Sequence, residues 1–345
     1  MKTITSEQNQ TLEDLSAEGL LGGLPLQTAE KDIHITDLLY ALSQLKVHHA
    51  HFKGMGKQES ARHDDGIVLV FAGGTCLSKA HGLIERMSED IDLKVILTDP
   101  TGDQKLTCGP RVRLKALHKT IGAALEDLGF DVPARNDDKD NPYIRDERRY
   151  WMVNAAFQSS MDVLDSLRPN LKLEVIHRPP LLPWQTLTFG YLYESLSKLS
   201  TTRPVSIACI DVAETLGEKV LSLLRRCHWK WSGQQKGEMD EALVRHMYDV
   251  YRIMQERPDS LDRATTIFKR LVDVDAEEFG NQAPDFRKDP GLVLSRTLAD
   301  IKDHPELQRN YERRLLPLIY QGAEVDYATA YGEFDRVARI MLDAL

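Results

Sequence analysis

The chain has 345 residues, 42% of them hydrophobic, and a formal net charge of −9. That length allows one large or two ordinary domains with an ample core, and the acidic balance excludes nucleic-acid affinity built on overall charge, because such binding needs Lys and Arg to neutralise phosphates. The four cysteines, Cys76, Cys108, Cys209 and Cys227, show no Cys-x-x-Cys spacing, so neither a zinc ribbon nor a disulfide framework is indicated and a reducing cytoplasm is the expected setting.

Residues 1–27 are polar and acidic, unlike a signal peptide, and read as a weakly ordered segment. No apolar run reaches membrane-spanning length, so no membrane partner is expected. A helix is expected over residues 35–52, and the Gly-, Lys- and His-rich stretch 53–65 reads as a loop.

The next stretch carries the most chemistry. An apolar, β-prone run at 67–71 ends in Gly73-Gly74-Thr75, a short helix follows, and Ser88-Glu89-Asp90-Ile91-Asp92-Leu93 opens a second strand that continues to Leu97. Side chains alternate along a strand, so Ser88, Asp90 and Asp92 share one face. Two adjacent carboxylates repel unless a divalent cation sits between them. Oxygen ligands of this kind suit Mg2+ or Mn2+, and a pair of such ions can clamp both oxygens of an in-line phosphoryl displacement. The diglycine lets backbone approach a phosphate closely, and the helix that starts near Thr75 offers unpaired N–H groups to the same anion. The bland reading is a tight turn followed by a solvated acidic strand start. It leaves unexplained why Asp92 interrupts the apolar run 91–97, where a carboxylate needs a partner.

Further along, a helix is expected at 111–128, bearing the basic cluster Arg111, Arg113, Lys115, His118 and Lys119. Residues 133–142 read as an exposed turn-rich loop, and 150–157 and 171–176 as strands. On the last of these, Lys172 and Glu174 share a face, and Glu174 is either a site carboxylate or an edge-strand charge paired with Lys172. Beyond Pro179, Pro180 and Pro183 the pattern becomes helical, apart from a short returning strand at 204–210. A helix at 212–226 sets Thr215, Lys219 and Ser222 near one stripe and leads into a second basic cluster, Arg225, Arg226, His228 and Lys230, interleaved with Trp229 and Trp231. A helix at 242–254 places Arg245 and Asp249 four residues apart, as a salt bridge or as site residues. Helices at 261–272, 292–301 and 334–342 complete the second half, and no internal repeat is visible.

Gly73-Gly74-Thr75-Cys76-Leu77-Ser78-Lys79 followed by Arg86-Met87-Ser88-Glu89-Asp90-Ile91-Asp92-Leu93 resembles the first motif of the AbiEii/AbiGii-type nucleotidyltransferase toxins, enzymes of type IV toxin-antitoxin and phage-exclusion systems. Glu30-Lys31-Asp32 is similar to the family's lead-in helix, and Glu218-Lys219-Val220 and Arg245-His246-Met247-Tyr248-Asp249 resemble its later motifs, with His246 where the family has an Asp. The resemblance implies an α+β fold, a small mixed-sheet nucleotidyltransferase palm at 28–210 with a helical C-terminal half at 211–345 that contributes Lys and Asp. It further implies Asp90 and Asp92 as metal ligands with Glu174 as the third. Gly73, Gly74, Thr75, Lys79, Ser88 and Arg245 would hold the nucleotide, Lys219 would meet the triphosphate, and Asp249 would orient Lys219 or a metal-bound water. The implied activity moves a nucleotide from an NTP to an RNA acceptor, the 3' end of tRNA, under the restraint of a cognate antitoxin protein. Two other readings stay open: nucleotidylation of a protein hydroxyl, and a degenerate relative that only binds nucleotide or partner.

Overall fold

Thr5 opens the first helix of the computed structural model: its hydroxyl accepts from the Gln8 amide at 3.1 Å, and the Gln8 side chain accepts from the Thr5 amide at 2.9 Å. This reciprocal cap starts α1 (Ser6–Ala17), a helix within the segment 1–27 in which the sequence suggests none. Leu12 and Leu15 supply its buried face. The structure describes residues 1–54, 61–132, 143–161, 167–168, 170–234, 240–321 and 325–345; the expected loop at 133–142 and part of that at 53–65 lie outside them. The chain divides into two units, one of residues 1–81 and 87–210, the other of residues 82–86 and 211–345.

In the first unit, α2 (Leu26–Ser43) begins after Pro25 and ends well before the expected residue 52. The two-stranded ribbon β1 (His48–His49) and β2 (Arg62–His63) follows, the latter inside the stretch expected to be loop. β3 (Ile67–Ala72), α3 (Gly73–Lys79) and β4 (Asp90–Leu97) form the motif unit, followed by α4 (Pro110–Asp127), whose proline after Gly109 suits the first helical position. β5 (Ile144–Arg145), β6 (Tyr150–Ala156), β7 (Asn170–Ile176), β8 (Gln185–Phe189), α5 (Leu192–Leu196) and β9 (Val205–Cys209) complete it.

Among the described residues seven strands form one mixed sheet in the order β5-β6-β7-β4-β3-β9-β8, larger than the four-strand palm with a returning fifth that the sequence suggests. β4 runs antiparallel to β3 and parallel to β7, so Glu174 stands on an interior strand and not on an edge. One face of β6 and β7 is buried through Trp151, Val153, Ala155, Leu171, Leu173 and Val175, while the alternate residues are half-exposed. This period of two fixes the register: a slip of one residue would turn the apolar set to water. Asp90, Asp92, Lys172 and Glu174 all belong to the half-exposed set.

The second unit is helical: α6 (Val212–Trp231), α7 (Arg245–Glu256), α8 (Ser260–Phe279), α9 (Pro284–Lys288), α10 (Pro290–Asp300), α11 (Glu306–Asn310) and α12 (Tyr327–Leu342). Asp211 caps α6 by accepting from the Ala213 amide at 2.9 Å. A Cβ at Gly217 would lie 2.7 Å from Leu271 of α8, so α6 and α8 approach closely at that glycine.

Candidate active site

Gly73 takes a φ of +73°, a left-handed conformation that glycine adopts without strain, and turns the chain from β3 into α3. Ala72 pairs with Asp92 across the two strands, and the Asp92 carboxylate reaches over the turn. A Cβ at position 73 would lie 1.9 Å from Asp92 Oδ2 and 2.9 Å from its Cγ. The glycine is therefore required twice, by its backbone angle and by the carboxylate above it. Thr75, almost fully buried, donates its hydroxyl hydrogen bond to the backbone carbonyl of Asp90 and so ties α3 to the start of β4. Gly74 and Ser88 stand half-exposed beside this pair. The predicted turn and acidic strand are thus brought together.

Upstream of Asp90 lies a buried ion pair. Glu89 faces inward and meets Lys31 of α2 at 2.5 Å, both side chains being almost wholly buried. The Lys31 ammonium also donates to the Arg168 carbonyl at 2.8 Å, while the Arg168 amide donates to Glu89 at 2.8 Å. The Arg168 guanidinium then reaches Asp90 Oδ1 at 3.1 Å. Lys31 and Arg168 thereby brace the strand on either side of Asp90. Loss of water around Asp90 raises its carboxyl above the usual carboxylate range, with Glu174 and Glu89 adding like charge against the pull of Lys172 and Arg168.

Glu174 stands in register with Asp92 and pairs with Lys172 at 2.5 Å; the Tyr150 hydroxyl donates to it at 3.3 Å. Among the described residues no three His, Cys, Asp or Glu side chains are grouped closely enough to hold a metal ion. At this sheet face Glu174 is engaged by an ammonium. In kind the donors fit a hard divalent cation: oxygen ligands on adjacent strands, a carboxyl raised by loss of water, and a lysine paired with one of them. Asp90 and Asp92 would hold such an ion, and Glu174 would join them once its lysine moved.

Lys79, expected at the nucleotide, has a buried ammonium that meets Asp32 at 2.5 Å and the Gly190 carbonyl at 3.2 Å. Asp32 also accepts from the Leu192 amide at 2.7 Å. These contacts join α2, α3 and α5 and account for the side chain structurally.

In the second unit, Lys219 of α6 meets Asp249 of α7 at 2.7 Å. Asp249 is fully buried, and Arg86 grips it with two bonds, Nε at 2.8 Å and Nη2 at 2.7 Å. Burial alone would raise the Asp249 carboxyl, but Arg86 and then Lys219 outweigh it and hold the group well below the usual carboxylate range. His246 lies beside this cluster, and burial followed by the Lys219 charge keeps it neutral. Arg245 is half-buried on the same helix. The sequence gives no local sign of Arg86, because its partner is 163 residues away.

Most of the second basic cluster, whose cations and indole rings could otherwise meet phosphates and bases, is engaged within the helical unit, while Lys230 is exposed. Arg225 pairs with Asp275 at 3.0 Å and stacks on Trp229 and Phe279, His228 meets Asp285 at 2.9 Å, and Trp231 stacks on His304 at 3.6 Å. In the first cluster Arg113 is buried against Asp64 and His118 against Trp151. Arg111, Lys115 and Lys119 are exposed on α4.

A diglycine turn locked against an Asp-x-Asp strand on a mixed sheet is the candidate site. Residues 59–336 match the family described as nucleotidyl transferase AbiEii toxin, type IV TA system, and the chain belongs to that family. It is a nucleotidyltransferase toxin of a type IV toxin-antitoxin system. A search of curated proteins finds no match. Among solved structures it is similar to MenT4, a nucleotidyltransferase toxin from Mycobacterium tuberculosis H37Rv, at 19% identity and a TM-score of 0.34, covering 82% of this chain and 98% of that one. No helix among the described residues is long and apolar enough to cross a membrane.

Proposed function

We propose that the chain transfers a nucleoside monophosphate from an NTP to the 3' end of tRNA, which stops translation, and that a cognate antitoxin protein restrains it. The acceptor hydroxyl oxygen bonds to the α-phosphorus, the bond to the β-phosphate bridge breaks, pyrophosphate leaves and the hydroxyl proton is released. The observation that carries this reading is the interlock of Gly73 and Asp92, which fixes a carboxylate directly above a glycine turn.

Asp90 and Asp92 would hold Mg2+ or Mn2+, with Glu174 as a third ligand. When bound there, the cation supplies Lewis-acid charge to the phosphate oxygens. Gly73, Gly74, Thr75 and Ser88 are the proposed phosphate contacts beside those carboxylates, with Thr75 also tying α3 to the start of β4. Lys219 and Arg245 are proposed contacts of the nucleotide, with Asp249 orienting Lys219. Lys79 and Lys219 are each already engaged by a carboxylate, Asp32 and Asp249, and would have to share or release it to meet the nucleotide.

An RNA acceptor is supported by Arg111, Lys115 and Lys119, exposed on α4 of a protein of negative net charge. The internal use of most of the Arg225–Trp231 cluster favours a second reading, in which the acceptor is a protein hydroxyl. Incubating the full chain with α-labelled NTPs, tRNA and lysate separates them. Label on tRNA supports the first, label on protein the second, and no transfer at all contradicts both.

A further inference from the structure

Two cross-strand rows lie side by side on the half-exposed face of the sheet. Asp90, Lys172 and Asn154 are register partners in the first, and Asp92, Glu174 and Met152 in the second. Lys172 therefore stands directly across from Asp90 and one pleat from Glu174, which it touches at 2.5 Å. Its side chain is 26% exposed, so its four-carbon stem has an open path to water, unlike the sealed Lys31 at 2%.

From this geometry we propose that Lys172 is the resident counter-cation of the Asp90, Asp92 and Glu174 cluster. Its ammonium holds Glu174 at 2.5 Å beside Asp90, its register partner, and swings away when a divalent cation enters. It thus tunes how tightly the site takes metal and does not itself take part in phosphoryl transfer. Burial would lower the Lys172 ammonium, yet Glu174 and then Asp90 and Asp92 raise it above the ordinary lysine value, as expected of a cation set among carboxylates. A dication held by Asp90 and Asp92 would be repelled by that ammonium, and the flexible lysine stem gives the ammonium a way out toward water. The inference rests on the reading of Asp90 and Asp92 as the cation's ligands.

Mn2+ titration of the full chain, followed by electron paramagnetic resonance, tests it without any turnover. Lys172→Met should bind Mn2+ at least about tenfold more tightly than the native chain at neutral pH, because one repelling charge is gone. Lys172→Arg should stay near the native affinity. The metal-free Lys172→Met protein should melt lower than the native chain and gain more from saturating Mn2+. Equal or weaker Mn2+ binding by Lys172→Met overturns the proposal, provided that Asp92→Asn abolishes binding and so confirms where the ion sits. Native-like binding by Asp92→Asn, or no binding by any variant, overturns both this proposal and the metal site on which it rests.

Discussion

Asp92 occupies the space that any side chain at position 73 would need, since a Cβ there would come within 1.9 Å of its Oδ2. Gly73→Ala must displace the carboxylate or unwind the turn, and the alanine also pays for a φ of +73°. The expected outcome is a loss of nucleotidyl transfer of about 100-fold, the scale set by an ångström of misplacement at a reacting centre. Stability should fall by only about 1–2 kcal/mol. Initial-rate assays beside thermal unfolding check this, and full activity in a folded Gly73→Ala protein would contradict it.

The Lys31–Glu89 pair is buried on both sides. Lys31→Met leaves the Glu89 carboxylate without its ammonium and should cost about 3–5 kcal/mol in urea unfolding. Replacing both by Met should recover most of that loss, because the penalty comes from the stranded charge. Equal stability of the native chain and Lys31→Met would show that the pair contributes nothing.

Asp249 answers two buried cations, Arg86 and Lys219. Asp249→Asn strands both and should destabilise by about 3–5 kcal/mol, more than Lys219→Met, which leaves Asp249 paired with Arg86. If Lys219 also meets the triphosphate, Lys219→Met raises the NTP KM beyond what its stability loss explains. Urea titrations and steady-state kinetics on the two variants separate these effects.

Much of the motif unit is legible in sequence because its parts are local. A β-branched run, a glycine pair and alternating carboxylates carry their own geometry, and β3, β4, β6, β7 and β9 follow from such runs. β8 escapes because Gln185-Thr186-Leu187-Thr188-Phe189 is mostly exposed on an edge strand behind prolines, so it shows no core signal. α1 is polar along most of its length, and the Thr5-x-x-Gln8 capping pattern is the signal that could have found it. Lys31 and Glu89 are 58 residues apart and Arg86 and Asp249 are 163 apart, pairings that only tertiary structure creates. For Glu174, sequence offers both a ligand and a partner of Lys172; the structure shows the pair, and explains why an interior strand tolerates it.

Two buried histidines set an acid limit. Burial lowers His34, packed on Phe157, and His118, stacked on Trp151, to about 3 each. The unfolded chain binds these protons below about pH 6.5 and the folded chain does not, so stability falls as pH drops from there toward 3. At pH 5 each histidine should cost about 2 kcal/mol relative to neutral pH. His118→Phe, which keeps an aromatic ring against Trp151, should remove its share. Urea unfolding at pH 7.5 and pH 5 checks this, and an unchanged pH dependence in the variant would contradict it.

The most direct test of the acidic pair is transfer of label from α-labelled NTP to acceptor by the native chain and by Asp92→Asn, each shown to be folded by its melting curve. The native chain with Mg2+ or Mn2+ present should label the acceptor and release pyrophosphate, and Asp92→Asn should do neither. Undiminished transfer by a folded Asp92→Asn protein would contradict this expectation.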